Sequence, residues 1–421
     1  MKLKTFDQKT IADKTVLVRV DFNVPLKKTE GEAARTTNQK SQTNFSVADD
    51  SRIKDSLETI RVLRQAKAKI ILISHLGRPA GQVKPELSLR PVARHLSELI
   101  EQEVVFVDQT IGQKAQLAAK QLRPGQILLL ENLRFHPEEK ANNRTFARQL
   151  AGLAEAYINE AFAASHRAHA SIKGVAQLLP AYAGLHLQTE VENLTRLMDN
   201  PDHPFVMVVG GTKLTDKVEA VKNLNRVADL VLVGGGVANS FLKAEGIETH
   251  KSFFEQEPLE TARQLIEQTK TEKVLKDGYI PLPKILFPID VVAAPNKDSQ
   301  KTKLIDLTHD MQDTPNDKNL MYFDIGPKTT KLYLELLSQA KTVFWNGPLG
   351  VFEKKPFSQG TKEIAQRLAG SPARVITGGG DTIRAINKFS SIDQFDYVSS
   401  AGGAALAFLA GKKLPGLEKV S

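Results

Sequence analysis

Cysteine is absent from the 421 residues, which excludes disulfides, thiolate chemistry and cysteine-ligated metals and fits a reducing compartment. Long apolar runs are missing as well. Nothing approaches the roughly 20 residues a membrane helix needs, and Met1-Lys-Leu-Lys-Thr-Phe-Asp7 has basic residues but no apolar centre of a signal peptide. A cytosolic protein without membrane contact is the expectation. Aromatic residues are only 6%, and neither a base-stacking set nor a recognition-helix motif accompanies the net charge of +9. A cleft that collects small polyanions accounts for that charge better than nucleic acid does. No heptad or long apolar edge argues for an oligomer, so a monomer is expected.

What is present belongs to a globular chain. Hydrophobic residues are 41% and charged residues 25%, and the length suits two domains of roughly 200 residues. One unit repeats along the chain: an apolar β-rich run, a loop bearing Gly, Asn, His or Arg, then a helical pattern. The runs are 15–20, 69–74, 104–108, 126–130 and 156–158, then 205–209, 230–233, 285–287, 342–344, 374–377 and 397–399. Near-continuous apolar runs separated by helix-length segments imply parallel strands covered on both faces, hence an α/β fold of two doubly wound sheets. Between the two sets lies a helical stretch, 184–200, followed by Pro201-Asp-His-Pro204, which marks the domain boundary. The expected division is a substrate domain over 1–183, a hinge helix over 184–200 and a nucleotide domain over 201–405.

Function in such sheets collects at the carboxyl ends of strands. The first half offers Arg19-Val-Asp-Phe-Asn-Val-Pro25, Ser74-His-Leu-Gly-Arg-Pro79, Glu131-Asn-Leu-Arg-Phe-His136 and Ser165-His-Arg-Ala-His-Ala-Ser171. Planar guanidiniums match carboxylate and phosphate, so Arg78, Arg134 and Arg167 converging make an anion cradle; singly, each is a surface ion pair. His75, His136, His166 and His169 lack the carboxylate spacing of a zinc site. The second half offers glycine and lysine: Gly210-Gly-Thr-Lys213, with Lys217 on the same face if a helix begins there, then Gly234-Gly-Gly236, Asp324-Ile-Gly-Pro-Lys-Thr329 and Trp345-Asn-Gly-Pro-Leu-Gly-Val-Phe-Glu353. Arg374-Val-Ile-Thr-Gly-Gly-Gly-Asp-Thr-Ile383 reads as a strand entering glycines, an acid and a helix. That order exposes backbone N–H groups at the positive end of a helix dipole, a place for phosphate, and Asp381 adds a hard oxygen for Mg²⁺. It is not a Walker A loop, since Gly-Lys-[Ser/Thr] is missing, and a tight turn without a ligand is the other reading of any one glycine run.

Taken in order, Val20-Asp-Phe-Asn-Val-Pro25, Ser74-His-Leu-Gly-Arg-Pro79, Glu131-Asn-Leu-Arg-Phe-His136, His166-Arg-Ala-His169, Gly210-Gly-Thr-Lys213, Asp324-Ile-Gly-Pro-Lys-Thr329, Trp345-Asn-Gly-Pro348, Gly378-Gly-Gly-Asp-Thr382 and Leu414-Pro-Gly416 resemble the phosphoglycerate kinase family across almost the whole chain. The resemblance implies reversible phosphoryl transfer between 1,3-bisphosphoglycerate and ADP, giving 3-phosphoglycerate and ATP, with Mg²⁺ as cofactor. It assigns the phosphoglycerate to Asp21, Asn23, Arg52, His75, Arg78, Arg134 and Arg167, with Phe22, Leu76 and Gly77 around them. It assigns the nucleotide to Lys213, Lys217, Glu353, Gly379, Gly380, Asp381 and Thr382, with Gly211, Gly235, Gly326, Pro327 and Asn346 completing the bed and Asp381 on the metal. Arg52, Lys213 and Lys217, with backbone at Gly380, Gly402 and Gly403, are expected to meet the charge of the transferring group. Residues 406–421 are expected to return to the first domain.

Four departures from the family pattern stand out. Its Asp-Ala-Phe-Gly-Thr-Ala reads Glu160-Ala-Phe-Ala-Ala-Ser165, and its Ser-Thr-Gly-Gly-Gly-Ala reads Ser399-Ser-Ala-Gly-Gly-Ala404. If the position of Ala401 needs positive φ, alanine strains the loop by about 1 kcal/mol. Ala407 and Ala410 replace two carboxylates, and 27–47 is a long polar stretch read as a surface loop. Weakened catalysis by a ligand-binding family member is therefore the alternative expectation, with a basic nucleic-acid-binding protein as the alternative from another class.

Overall fold

The computed structural model describes residues 1–29, 44–269, 283–308 and 318–421. The chain forms two compact units, Met1–Glu192 with Lys413–Ser421, and Asn193–Lys412. The division falls within the helix Leu185–Asp199, not at its start.

In the first unit a six-stranded sheet has the order β5-β6-β4-β1-β7-β8. Its strands are β1 (Thr15–Arg19), β4 (Lys69–Ile73), β5 (Val104–Val107), β6 (Ile127–Leu130), β7 (Ala156–Asn159) and β8 (Ala181–Ala183). Every pairing in it is parallel. Ile70-Ile-Leu-Ile73 and Ile127-Leu-Leu-Leu130 are fully buried because helices cover both faces. β1 lies between β4 and β7, so the chain runs outward on either side of it and opens a crevice at its carboxyl end. The polar stretch 27–47 contributes a short antiparallel ladder, β2 (Leu26–Thr29) with β3 (Asn44–Val47); residues 30–43 lie outside the described residues.

The second unit has its own six-stranded parallel sheet, β11-β10-β9-β15-β16-β17. These are β9 (Phe205–Val209), β10 (Leu230–Val233), β11 (Ile285–Leu286), β15 (Thr342–Asn346), β16 (Arg374–Gly378) and β17 (Tyr397–Ser399). Taken in chain order they give the strand sequence of a dinucleotide-binding sheet, whose switch point lies between β9 and β15. A three-stranded antiparallel sheet, β12 (Asp290–Ala294), β13 (Lys303–Asp306) and β14 (Met321–Ile325), is inserted before β15. The Asp324–Thr329 motif therefore ends a strand of this small sheet, not of the parallel one.

The helix Gly403–Leu409 stays with the second unit, contrary to the expected return from residue 406. The Asn223 amide Nδ2 donates to Leu409 O at 2.7 Å, and the helix packs on Val218–Leu224. The return to the first unit starts at Lys413. Gly416 N donates to Ser165 O at 2.9 Å, and Asn159 Nδ2 donates to Gly416 O at 2.9 Å. A side chain at Gly416 would run into Ser165, so the serine departure lies against this closure.

Candidate functional site

In the first unit the loops after β1, β4, β6 and β7 supply the predicted side chains except Arg52, which lies in the short helix Ser51–Lys54. Asp21 Oδ2 accepts from Arg52 Nη1 at 2.8 Å, and Asp21 Oδ1 lies 3.7 Å from His75 Nδ1. Asn23 Oδ1 accepts from Gly77 N at 2.9 Å, which ties the first loop to the second and leaves the asparagine its amide donors. Arg134 is buried and donates from Nη1 to Gly77 O at 2.6 Å. Its pKa falls to about 10 through burial, then through the neighbouring charges of Arg167 and Arg19. A guanidinium so placed remains charged, and an anion would relieve its repulsion. Burial drives His75 well below its ordinary pKa, and Arg19, Arg134, Arg167 and Arg52 each push it further. The imidazole is therefore neutral among converging guanidiniums. Arg167 lies at the exposed rim, donating from Nε to His166 Nε2 at 3.0 Å, and Arg78 is exposed.

Two of the predicted contacts, Phe22 and Leu76, have their side chains in the core. The Phe22 side chain is in the core, and its N–H donates to Ser74 Oγ at 2.9 Å. Leu76 is also in the core, with its N–H and C=O both taken by Asn132 at 3.1 and 2.7 Å. Both shape their loops and have no free polar backbone group for a ligand. Arg19 is the residue that sequence reading missed. It is 1% exposed and donates from Nη2 to His75 Nδ1 at 3.0 Å. An arginine closing an otherwise apolar buried strand was the available signal, since burying such a charge is costly without a purpose.

In the second unit the glycine-rich loops pack backbone against backbone. Gly211 N donates to Pro348 O at 2.6 Å and Gly235 N to Leu349 O at 2.9 Å. Those N–H groups are thus spent inside the protein, and the two glycines make a close-packed floor with no room for a side chain at Gly235. Trp345 is fully buried and donates from its indole to Gly347 O at 2.9 Å, fixing the turn that carries Asn346. Asn346 Nδ2 donates to Gly378 O at 2.7 Å, and the Thr382 hydroxyl accepts from Gly347 N at 2.8 Å. Together they lock the end of β15 to the end of β16. The slot before Pro327 is filled from within: Asp290 accepts from Lys328 N at 3.0 Å and Thr329 N at 2.7 Å. Gly326 presses on that carboxylate and has no room for a side chain.

The helix Gly380–Phe389 is different. Its N-cap, Gly379, has φ 98° and provides no side-chain cap, so the first N–H groups face outward without a side-chain acceptor. A Cβ at Gly380 would meet nothing within 4 Å. Asp381 Oδ1 accepts from Arg384 Nη2 at 2.7 Å, and the same nitrogen lies 3.5 Å from Glu353 Oε1. Lys217 is the N-cap of Val218–Leu224, so it and the exposed Lys213 both precede the helix and do not share a helical face. Burial lowers the Lys217 pKa, opposed by Asp216, Asp381 and Glu255. A Cβ on Gly211 would come within 2.8 Å of the Lys217 Nζ, which places the ammonium over the glycine floor. Gly402, with φ 51°, precedes Gly403, the first residue of the last helix. Ala401 is buried and is not among the residues with positive φ, so the expected strain there is absent. Among the described residues no group of three or more acidic or histidine side chains could hold a metal. Asp381 alone suits a cation held mainly by phosphate and water.

Two doubly wound units, one with arginines around a neutral histidine and one with lysine over a glycine floor, define a two-unit α/β phosphotransferase. The model of the phosphoglycerate kinase family matches residues 6–412, and the chain belongs to that family. Its activity is that of a phosphoglycerate kinase, with a role in glycolysis. The phosphoglycerate kinase of Pelotomaculum thermopropionicum is 44% identical over 420 residues, covering 99% of this chain and 98% of that protein. The one from Moorella thermoacetica is 43% identical over 405 residues, 96% and 95% of the two chains. The structure of phosphoglycerate kinase from Coxiella burnetii superposes with a TM-score of 0.80 at 38% identity over 97% of this chain and 96% of that one. The one from Pyrococcus horikoshii superposes at 0.78 and 32%, over 97% and 96%.

Proposed function

We propose that the chain moves a phosphoryl group reversibly between 1,3-bisphosphoglycerate and ADP, with the phosphoglycerate on the first unit and the nucleotide on the second. The observation that carries this reading is the cluster around His75, with Arg19 Nη2 3.0 Å from its Nδ1, Arg52 paired to the neighbouring Asp21 at 2.8 Å and Arg134 buried against the same loop at Gly77. That cradle matches a substrate bearing phosphate and carboxylate. Asp21 and the free amide of Asn23 suit the substrate's hydroxyl, and Arg78 and Arg167 approach from the rim.

The transferring group spreads charge over three oxygens, so the protein's task is to position and neutralise. We assign that task to Arg52, Lys213 and Lys217, with backbone N–H groups at Gly380 and in the Gly402–Gly403 loop. Lys217 is poised for it, because a desolvated ammonium gains most from a phosphate oxygen. Gly379 and Thr382 keep the helix start open, Glu353 suits ribose hydroxyls, and Gly211, Gly235, Gly326, Pro327 and Asn346 shape the bed. Asp381 would hold Mg²⁺ once Arg384 is displaced, and the ion would neutralise charge between nucleotide phosphates. Each unit carries one half of the reaction, so transfer requires the units to be brought together; we place the bend on the shared helix Leu185–Asp199. This reading makes the protein a cytosolic monomer acting on small molecules, and its positive charge a device for anions rather than for nucleic acid. Oxidation of NADH coupled to consumption of ATP and 3-phosphoglycerate tests it. Turnover that needs both ligands supports it, and no turnover with folded protein at saturating ligands overturns it.

A further inference from the structure

We propose that Ser171 and Glu139 are positioning residues that act through Arg19 to hold His75 as a neutral imidazole with its proton on Nε2. The inference deepens the proposed function, because His75 is there a ligand to the phosphoglycerate. A continuous buried chain of polar groups leads to that ring. Glu139 is 0% exposed, and its carboxylate accepts from the Ser171 hydroxyl at 2.6 Å and from Ser171 N at 2.9 Å. The same hydroxyl oxygen accepts from Arg19 Nε at 3.0 Å. Arg19 Nη1 donates to Val20 O, and Nη2 points at His75 Nδ1 at 3.0 Å. Tyr157 pins the far side, its hydroxyl donating to Ser171 O at 2.8 Å.

The direction of each bond follows from the donor inventory. A guanidinium only donates, so the nitrogen it faces must carry a lone pair, and a neutral imidazole then has its proton on the other nitrogen. Serine completes the logic, since a hydroxyl that gives its proton to Glu139 has only lone pairs left for Arg19. Glu139, whose Oε1 also lies 3.7 Å from His169 Nδ1, thereby balances a buried guanidinium at one remove, and the fork keeps a fixed orientation. The carboxylate nearest the ring, Asp21, has Oδ1 3.7 Å from Nδ1, beyond hydrogen-bond distance, and is paired through Oδ2 with Arg52, while Arg134 and Arg167 add positive charge; Arg19 Nη2, held at 3.0 Å from Nδ1 through the interposed serine, therefore sets the tautomer. Neither Ser171 nor Glu139 needs to touch substrate.

Nitrogen-15 spectra of the full-length wild-type protein, with the ring assigned by loss of its signals in His75→Gln, read the tautomer directly. We expect Nδ1 unprotonated and Nε2 protonated, without titration between about pH 6 and about pH 8. A proton on Nδ1, or an ordinary histidine titration, overturns the proposal, and this result does not depend on Ser171→Ala folding. In Ser171→Ala the expected result is a mixed tautomer population and a KM for 3-phosphoglycerate raised about tenfold, with the KM for nucleotide unchanged. A single wild-type tautomer with unchanged KM for both ligands overturns the relay while leaving the activity intact. Absence of activity in the wild-type protein would count against the proposed function alone, since the tautomer is read without turnover.

Discussion

Glu160 is fully buried at the start of the shared helix, and removing its charge should alter how stability depends on pH. Its carboxylate accepts from the Thr59 hydroxyl at 2.7 Å and from His186 N at 3.1 Å, and the same hydroxyl accepts from Leu185 N at 2.9 Å. Burial nevertheless dominates and raises its pKa from 4.5 to about 8. Below the unfolded value both states are protonated and the residue costs nothing. As pH rises the unfolded chain ionises first, the native state resists, and stability drains away until the folded carboxyl also ionises. At about 1.4 kcal/mol per pH unit the loss between about pH 5 and about pH 9 is about 4 kcal/mol. Glu160→Gln keeps an acceptor for Thr59 and His186 and removes the titration. Asp324 is raised to about 8 in the second unit by burial, but it titrates alike in both proteins and cancels in the difference. Urea titrations of wild type and variant across that range, followed by circular dichroism, give the comparison. The variant should gain about 4 kcal/mol on the wild type from the acid to the alkaline end. A difference that stays constant with pH would refute the argument.

Arg52→Ala should lower kcat by about 100-fold or more, the scale of losing one preorganised charge contact, while calorimetry shows ADP affinity unchanged; an unchanged kcat rejects the assigned role. Ala401→Gly should leave kcat within about twofold and lower stability by about 0.5 to 1 kcal/mol, because Ala401 lacks the positive φ that would favour glycine. A marked rise in kcat and melting temperature in that variant would show that the alanine is strained.

Much of the fold was legible because buried parallel strands are written as apolar runs. The bounds of β9, β10 and β17 are those the runs predicted, and the glycines directly after β9 and β10 mark their carboxyl ends. The small antiparallel sheet was not legible: β13 is Lys303-Leu-Ile-Asp306, an edge strand with an exposed face and no apolar run to betray it. Boundary errors arose where tertiary contacts decide, as when Asn223 holds Leu409 in the second unit. At the candidate site, sequence could place Asp21, His75 and Arg134 on neighbouring strand ends, since the order of the loops fixes that. It could not show that Pro348 and Leu349 consume the N–H groups of Gly211 and Gly235, or that Asp290 fills the slot before Pro327. Those partners lie far along the chain, and only the packed loops bring them together.

Separate calorimetric titrations of 3-phosphoglycerate and ADP into the wild type, Arg134→Ala and Lys217→Ala test most directly whether each unit grips its own ligand. Affinity for 3-phosphoglycerate should fall at least about tenfold only in Arg134→Ala, and affinity for ADP by a similar factor only in Lys217→Ala. Either substitution weakening both ligands alike, or neither ligand, would contradict the assignment of phosphoglycerate to the arginine cradle and nucleotide to the glycine floor.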